Sequence, residues 1–148
     1  MHEMLHHFRH KVKIQVRFKD LDSMGHVNNA NHLTYFELAR VSYFHEVVKE
    51  EVDWHRQGII LARMEIDYKS PILLDDDLWV YVRVSAFGRT SFTMEYFIVS
   101  NRPGGSVLRA TGKSIQVCYD YSSNLPVEVP STWRSRVIAF EPDASALS

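Results

Sequence analysis

Between positions 58 and 119 apolar side chains recur at every second residue, a spacing that places them on one face of extended strands and that no amphipathic helix can bury. Ile60, Ala62, Met64, Ile66 and Tyr68 share one such face. Leu78, Val80, Val82, Val84 and Ala86 share the next, and Phe92, Met94, Tyr96 and Ile98 a third, after the turn Gly88-Arg89-Thr90. A fourth strand is expected over residues 107–119, entered through the hairpin Asn101-Arg102-Pro103-Gly104-Gly105. Gly112 within it marks a bulge or a close backbone approach. The links between the last three strands are short, which favours antiparallel neighbours. An earlier strand is expected at residues 12–18, where Val12, Ile14, Val16 and Phe18 alternate with Lys13, Gln15 and Arg17.

One stretch changes period. Leu33, Phe36, Tyr43, Phe44 and Val47 recur at helical spacing, with Glu37, Arg40, Glu46 and Lys49 filling much of the remainder. A helix of about five turns with so aromatic a face is buried best against a broad sheet. The expected order is therefore β, α, β, β, β, β, an α+β architecture with one long helix on a largely antiparallel five-stranded sheet. Pro126 and Pro130 interrupt the tail, after which residues 132–139 are expected to form a short helix. The 148 residues suffice for a sizeable core, and no Pro/Gly/Ser-rich linker divides them, so a single domain spanning 1–148 is expected.

The charge balance narrows the partners. Seventeen Lys+Arg against eighteen Asp+Glu give a formal net charge of −1, which provides no global basic field for nucleic acid; an anionic ligand has to be held locally. The start, MHEMLHHFRHKVK, lacks the apolar stretch of a signal peptide, and no run is long enough to span a bilayer. A cytoplasmic protein is the expectation. The one cysteine, Cys118, cannot form an intramolecular disulfide, which fits a reducing compartment.

Between the first strand and the helix the chain reads RFKDLDSMGHVNNANHLTYFE, residues 17–37. A carboxylate just upstream of a helix start sits beside unpaired backbone N–H donors, so one place offers a base or nucleophile and a cradle for developing negative charge. That pairing suits acyl transfer. Asp20-x-Asp22-x-x-Gly25-His26-Val27-Asn28-Asn29, followed by Tyr35-Phe36-Glu37 and Ala39-Arg40, resembles the hotdog-fold acyl-CoA thioesterases of the 4-hydroxybenzoyl-CoA thioesterase type. The resemblance extends from about Val12 to about Tyr119 and takes in Asp67-Tyr68 to Pro71 and Gly88-Arg89-Thr90-Ser91. It implies a hotdog fold, in which an antiparallel sheet wraps one long helix, a homodimer or homotetramer, and a thioester substrate bound at a subunit interface near the helix start. It also implies that the second acidic residue of the loop, Asp22, is the catalytic carboxylate. Where the 4-hydroxybenzoyl-CoA enzymes carry an apolar or aromatic run after the glycine, this chain has His26-Val27-Asn28-Asn29, the form common in acyl-CoA and acyl-carrier relatives. The acyl group, and coenzyme A versus a carrier protein, therefore stay open.

The resulting expectation is hydrolysis of an acyl-CoA thioester to free acid and coenzyme A. Asp22 acts as general base on water or as nucleophile, and a backbone N–H near Asn29 polarises the carbonyl. Gly25, His26, Val27 and Asn28 are placed around the substrate, and Arg89, Thr90 and Ser91 are candidates for its phosphates, since a guanidinium fork and two hydroxyls suit an anion. A solvated turn accounts for Arg89 equally well. No cofactor is expected, coenzyme A being part of the substrate. The rival reading is a non-catalytic acyl-CoA or acyl-carrier binder of the same fold; a hotdog dehydratase, whose chemistry usually relies on a His and acid pair, is a third.

Plainer readings exist for each residue. Asp and Asn before a helix are favoured as caps and in Asx turns. Asp20 is expected to fix the loop rather than to react, His26 to satisfy local hydrogen bonds, and Glu37 with Arg40 to form an ordinary surface pair. His2-Glu3-Met4-Leu5-His6 satisfies H-E-x-x-H, but a zinc site needs a stable helix and a walled third ligand, which a frayed terminus does not offer, so no metal is expected. Cys118 shares one strand side with Gln116, Ala110 and Leu108 and has no adjacent histidine to activate it; packing is its expected role. No Walker loop or G-x-G-x-x-G element is present, which argues against nucleotide hydrolysis and dinucleotide redox chemistry.

Overall fold

The computed structural model describes residues 2–141 and residue 143. Its elements run α1 (His2–Leu5), β1 (His10–Ile14), a 3₁₀ turn (Phe18–Asp20), α2 (Asn31–Tyr43) continued by a wider π-type turn (Phe44–Val48), β2 (Gln57–Tyr68), β3 (Asp77–Phe87), β4 (Ser91–Arg102), β5 (Gly105–Asp120), β6 (Leu125–Pro126) and α3 (Ser131–Phe140). The sheet order is β1-β3-β4-β5-β2, with the two-residue β6 beside β5, and every pair is antiparallel. Among the described residues no helix is long and apolar enough to cross a membrane.

The expected order of strands and long helix is observed, with the short β6 as a sixth strand and α1 as an added turn of helix. Alternation explains why: Leu78, Val80 and Val82 on β3 and Met94, Tyr96 and Ile98 on β4 are fully buried, so both central strands turn one continuous apolar face toward α2. The helix answers with His32, Tyr35, Phe36, Ala39 and Tyr43, and Phe36 stacks on Tyr96 with ring centroids 4.6 Å apart. Gly112 permits the closest approach, because a Cβ there would lie 2.8 Å from the Phe36 ring. Tyr43 donates a buried hydrogen bond to Glu141 at the end of α3 (2.9 Å), fastening the last helix to the first long one.

Three details depart from the alternation. Bulges fall between Leu61 and Arg63 on β2 and between Val84 and Ala86 on β3, and each reverses which face the neighbouring residues take. Ile59, not Ile60, therefore packs on the core, and Phe87 does so in place of Ala86. The first strand ends at Ile14, and Phe18, expected inside, is 81% exposed because the 3₁₀ turn folds Asp20 back onto Arg17. On α2 and its continuation Phe36, Tyr43 and Val47 are buried as expected, while Leu33 faces outward and His32 and Tyr35 complete the buried stripe.

β2 forms one open edge of the sheet. Its twelve residues include Ile60, Leu61 and Tyr68 among the exposed large side chains, so the edge combines unpaired backbone with apolar surface.

Candidate active site

Asp20 organises the loop that carries the expected site. It is 1% exposed and accepts hydrogen bonds from the Arg17 N–H (3.0 Å), the Arg17 guanidinium (Nη2, 2.9 Å) and the Tyr35 hydroxyl (2.8 Å). Burial alone would favour the neutral acid, but the Arg17 and Tyr35 donors outweigh it and hold the Asp20 carboxyl below the usual carboxylate range. Its backbone carbonyl receives the Asn28 N–H (2.8 Å) and the Asn31 side-chain amide (2.9 Å), so one residue ties the loop's start to the helix's start. This is the supporting role that the sequence suggested for it.

The intervening residues form a tight hairpin. Leu21 bridges Val27, the Asp22 N–H donates to the His26 carbonyl (2.8 Å), and Gly25 takes a φ of +80°, which favours glycine. Val27 is buried and its N–H donates to the Ile72 carbonyl (2.9 Å), anchoring the hairpin to the segment after β2. One oxygen of Asp22, Oδ1, accepts the Met24 N–H at 2.9 Å and lies 3.4 Å from the His26 N–H. The other makes no hydrogen bond among the described residues. Asp22 is thus held by one oxygen with its second available.

Beyond the hairpin the helix consumes most of its own donors. Asn28 Oδ1 accepts the Ala30 N–H (2.9 Å), the Asn28 carbonyl accepts the Asn31 N–H (2.9 Å), and the Asn29 carbonyl accepts the His32 N–H (3.4 Å). Asn28 therefore forms an Asx turn ahead of the helix, whose N-cap is Ala30 with no side-chain cap bond, so the expected capping by Asn28 is not what the structure has. Among the described residues the Asn29 N–H has no partner, which singles it out from the first turn as a donor still available.

Asp22, His26, Val27, Asn29 and His32 line one cavity of about 280 Å³, closed on its far side by Tyr68, Lys69, Ser70, Pro71 and Ile72. His32 is a wall residue that the sequence reading missed. A histidine flanked by asparagine and leucine near a helix start reads as polar surface; the available signal was the stripe His32, Tyr35, Phe36, Ala39 and Tyr43, which places it on the buried face. It is 3% exposed, its Nδ1 is buried without a hydrogen-bond partner, and burial lowers its pKa, so the ring is neutral at neutral pH.

A second cavity, about 480 Å³, is walled by Arg40, Val41 and Phe44 of the long helix and its continuation, by Trp54, and by Ile59 and Leu61 of β2, among others. Glu37, which also lines it, is six residues along α2 from its first residue, Asn31, or about 9 Å. Arg40 reaches the Tyr96 hydroxyl (3.3 Å), and among the described residues no ion pair joins it to Glu37.

Arg89, Thr90 and Ser91 sit elsewhere. Tyr68, beside the Asp22 cavity, pairs with Ala110 on β5, whereas Ser91 pairs with Val117, seven positions further along that strand and about 23 Å away. Within one chain these two groups of candidates are not brought together. Arg89 is exposed and 3.6 Å from Glu128, while the Thr90 carbonyl accepts the Cys118 N–H (2.8 Å). Cys118 is buried, and burial pushes its thiol up to about 11, consistent with a packing residue. The α1 helix ends at Leu5, before His6, which is exposed; the His2 side chain lies outside the described residues. Among the described residues no group of three or more His, Cys, Asp or Glu is placed to hold a metal ion.

Comparison with known proteins adds the family. A thioesterase of Thermus thermophilus, solved in complex with coenzyme A and zinc, shares 40% identity and superposes with a TM-score of 0.76, covering 92% of this chain and 96% of its own. The protein YsmA of Bacillus subtilis (strain 168) is 34% identical over 85 residues, 57% of this chain, and the match spans 56% of its length. The chloroplastic acyl-acyl carrier protein thioesterase ATL3 of Arabidopsis thaliana is 29% identical over 88% of this chain and 68% of its own. The model of the thioesterase-like superfamily matches residues 16–137, which include the Asp22 hairpin, α2 and the sheet from β2 to β5. This chain belongs to the thioesterase-like superfamily and has its hotdog fold.

Proposed function

We propose that the protein hydrolyses acyl-CoA thioesters at the Asp22 cavity. The observation that carries this is the presence, in the lining of one cavity, of a carboxylate held by a single oxygen and of Asn29, whose backbone N–H has no other partner among the described residues. In this reading Asp22 takes a proton from water as the water oxygen bonds to the thioester carbon, and the carbonyl electron pair moves onto oxygen, where the Asn29 N–H meets it. Collapse re-forms the C=O bond and breaks the C–S bond. The departing thiolate takes the proton from Asp22, giving acid and coenzyme A with the carboxylate restored. Direct attack by Asp22 on the carbon is the competing route, and it would leave a transient acyl-aspartyl anhydride.

A cavity of about 280 Å³ falls just under the usual range of about 300–1,000 Å³ for small-molecule sites, enough for the reacting thioester and the groups next to it but not for a whole acyl-CoA. The 480 Å³ cavity, with Val41, Phe44, Trp54, Ile59 and Leu61 in its wall, offers apolar room for the acyl group. A homodimer completes the picture: antiparallel pairing of two β2 edges would cover the exposed apolar strand. It would also bring the Arg89 end of a second copy toward the Asp22 end of the first, reconciling two groups of candidates that one chain keeps apart. The coenzyme A bound to the Thermus thioesterase supports a CoA thioester as substrate, and the Arabidopsis relative keeps a carrier-bound acyl group in view.

The test is a panel of acyl-CoA and acyl-carrier thioesters of varied chain length and aromaticity, with release of free thiol followed over time. Turnover of CoA thioesters is expected; tight binding of the whole panel without thiol release would favour the non-catalytic binder. Light scattering should report a dimer or tetramer, and a fully active monomer would remove the interface.

A further inference from the structure

We propose that Gln116 is a specificity-determining residue: its side-chain oxygen, together with the Arg40 guanidinium, selects an acyl group that carries a hydroxyl on an aliphatic chain. This deepens the thioester-hydrolase reading given above and rests on it.

A run of polar side chains crosses the core below α2. Gln116 Nε2 donates to Ser114 Oγ at 2.9 Å, Ser114 Oγ lies 2.7 Å from the Tyr96 hydroxyl, and Arg40 Nη1 donates to that hydroxyl at 3.3 Å. Ser114 and Tyr96 are fully buried in the middle of the run, while Arg40 and Gln116, at its two ends, both line the 480 Å³ cavity. Gln116 Oε1 makes no hydrogen bond among the described residues. The unpartnered side-chain atoms sealed from solvent there are His32 Nδ1 and Arg109 Nε, and Oε1 is not one of them. It therefore keeps accessible surface, and the space bordered by this residue, only 2% exposed, is the cavity. Arg40 is half-buried and forms no ion pair among the described residues, so its remaining N–H groups add donors to the same wall.

Around these groups Val41, Phe44, Trp54, Ile59 and Leu61 supply apolar surface, and Glu37 a carboxylate. A carboxylate on the acyl group would pair with Arg40 but be repelled by Oε1 and Glu37, and an ammonium would be repelled by Arg40. A plain alkyl chain would strip water from Oε1 and the guanidinium and replace none of the lost hydrogen bonds. A hydroxyl donates to Oε1 and accepts from the guanidinium, which satisfies both. The cavity has about three times the roughly 150 Å³ that suffices for a benzene ring, which favours a chain over a single ring. Leu61 pairs with Gln116 and Gln116 with Phe92, next to the Arg89 turn, so the cavity lies at the sheet end that pairing of two β2 edges would bring toward the Asp22 hairpin of a second copy.

The probes are octanoyl-CoA and its isomers hydroxylated beside the thioester, at mid-chain and at the chain end, with thiol release followed for each. Wild type should turn over at least one hydroxylated isomer with kcat/KM roughly 10–100-fold above octanoyl-CoA, the scale of leaving one or two polar groups unpaired. Gln116→Met keeps an unbranched side chain of similar volume and removes the amide; it should bring the ratio to within about threefold of unity, raising octanoyl-CoA turnover as it lowers that of the hydroxylated isomer. Arg40→Met should lower the ratio by about threefold or more without touching β5. The proposal is overturned if no isomer outruns octanoyl-CoA in wild type, or if Gln116→Met lowers both substrates and Tm together with the ratio unchanged. Should Gln116→Met fail to fold, a ratio that survives Arg40→Met overturns it. Absence of thiol release from the whole panel in wild type overturns the hydrolase reading and this one with it, whereas turnover blind to the hydroxyl overturns this one only.

Discussion

Replacing Asp20 by Asn should loosen the active loop by an amount that depends on pH in a defined way. The carboxylate accepts three charge-assisted contacts from the half-exposed Arg17 guanidinium, one from the Arg17 N–H and one from Tyr35. An amide keeps the shape but turns an NH₂ toward one set of donors and leaves Arg17 without its counter-charge. Breaking a fully buried pair costs about 3–5 kcal/mol; with Arg17 half in solvent, screening reduces the figure to roughly 2–3 kcal/mol. For a chain of this size that corresponds to a fall in Tm of roughly 4–12 °C at pH 7. Because the folded-state pKa of Asp20 is depressed, its contribution is fully present above the unfolded value near 3.8 and is lost as pH falls through the lower folded value. Calorimetric melts of wild type and Asp20→Asn should therefore differ at pH 7 and converge on acidification below that range. Equal melting temperatures at pH 7, or a gap that persists undiminished in acid, would refute the reasoning.

Arg89→Ala should raise KM for acyl-CoA with little change in kcat, and the effect should vanish with a pantetheine thioester that lacks the nucleotide; equal losses on both would assign Arg89 to the turn's structure. Gly112→Ala should cost roughly 1–3 kcal/mol, read as a lower Tm, because its methyl group meets the Phe36 ring at 2.8 Å; an unchanged Tm would mean the helix shifts freely over the sheet. Cys118 should resist a thiol reagent in the native protein and react promptly on unfolding, since its thiol is both buried and poorly ionised; rapid native modification would contradict its placement.

The order of strands and the long helix was legible because periods of two and of about 3.6 are properties of neighbouring residues. What escaped was set by distant ones. The bulge on β2 reverses Ile59 and Ile60, and nothing in their local sequence distinguishes which is buried. Arg109 shows the same effect more sharply: an irregularity opposite Ile98 and Val99 turns it inward to meet Asp76 at 3.0 Å, where the polar–apolar alternation alone would have left a charge outside. Phe18 is exposed because Asp20 has to return to Arg17, a demand visible only once the turn is formed. In the candidate site, Asp22, Gly25 and Asn28 stood out through their spacing in the loop. His32 did not, since its partners Tyr68 and Asn29 converge from 36 residues and three residues away, the first only through folding.

The central claim is that the Asp22 carboxylate performs the hydrolysis, and Asp22→Asn tests it most directly, because the substitution keeps size and the Met24 contact while removing the charge. Thiol release from acyl-CoA should fall by roughly 10²-fold or more, with folding and acyl-CoA binding retained. A properly folded Asp22→Asn protein that releases thiol at the wild-type rate would contradict the account.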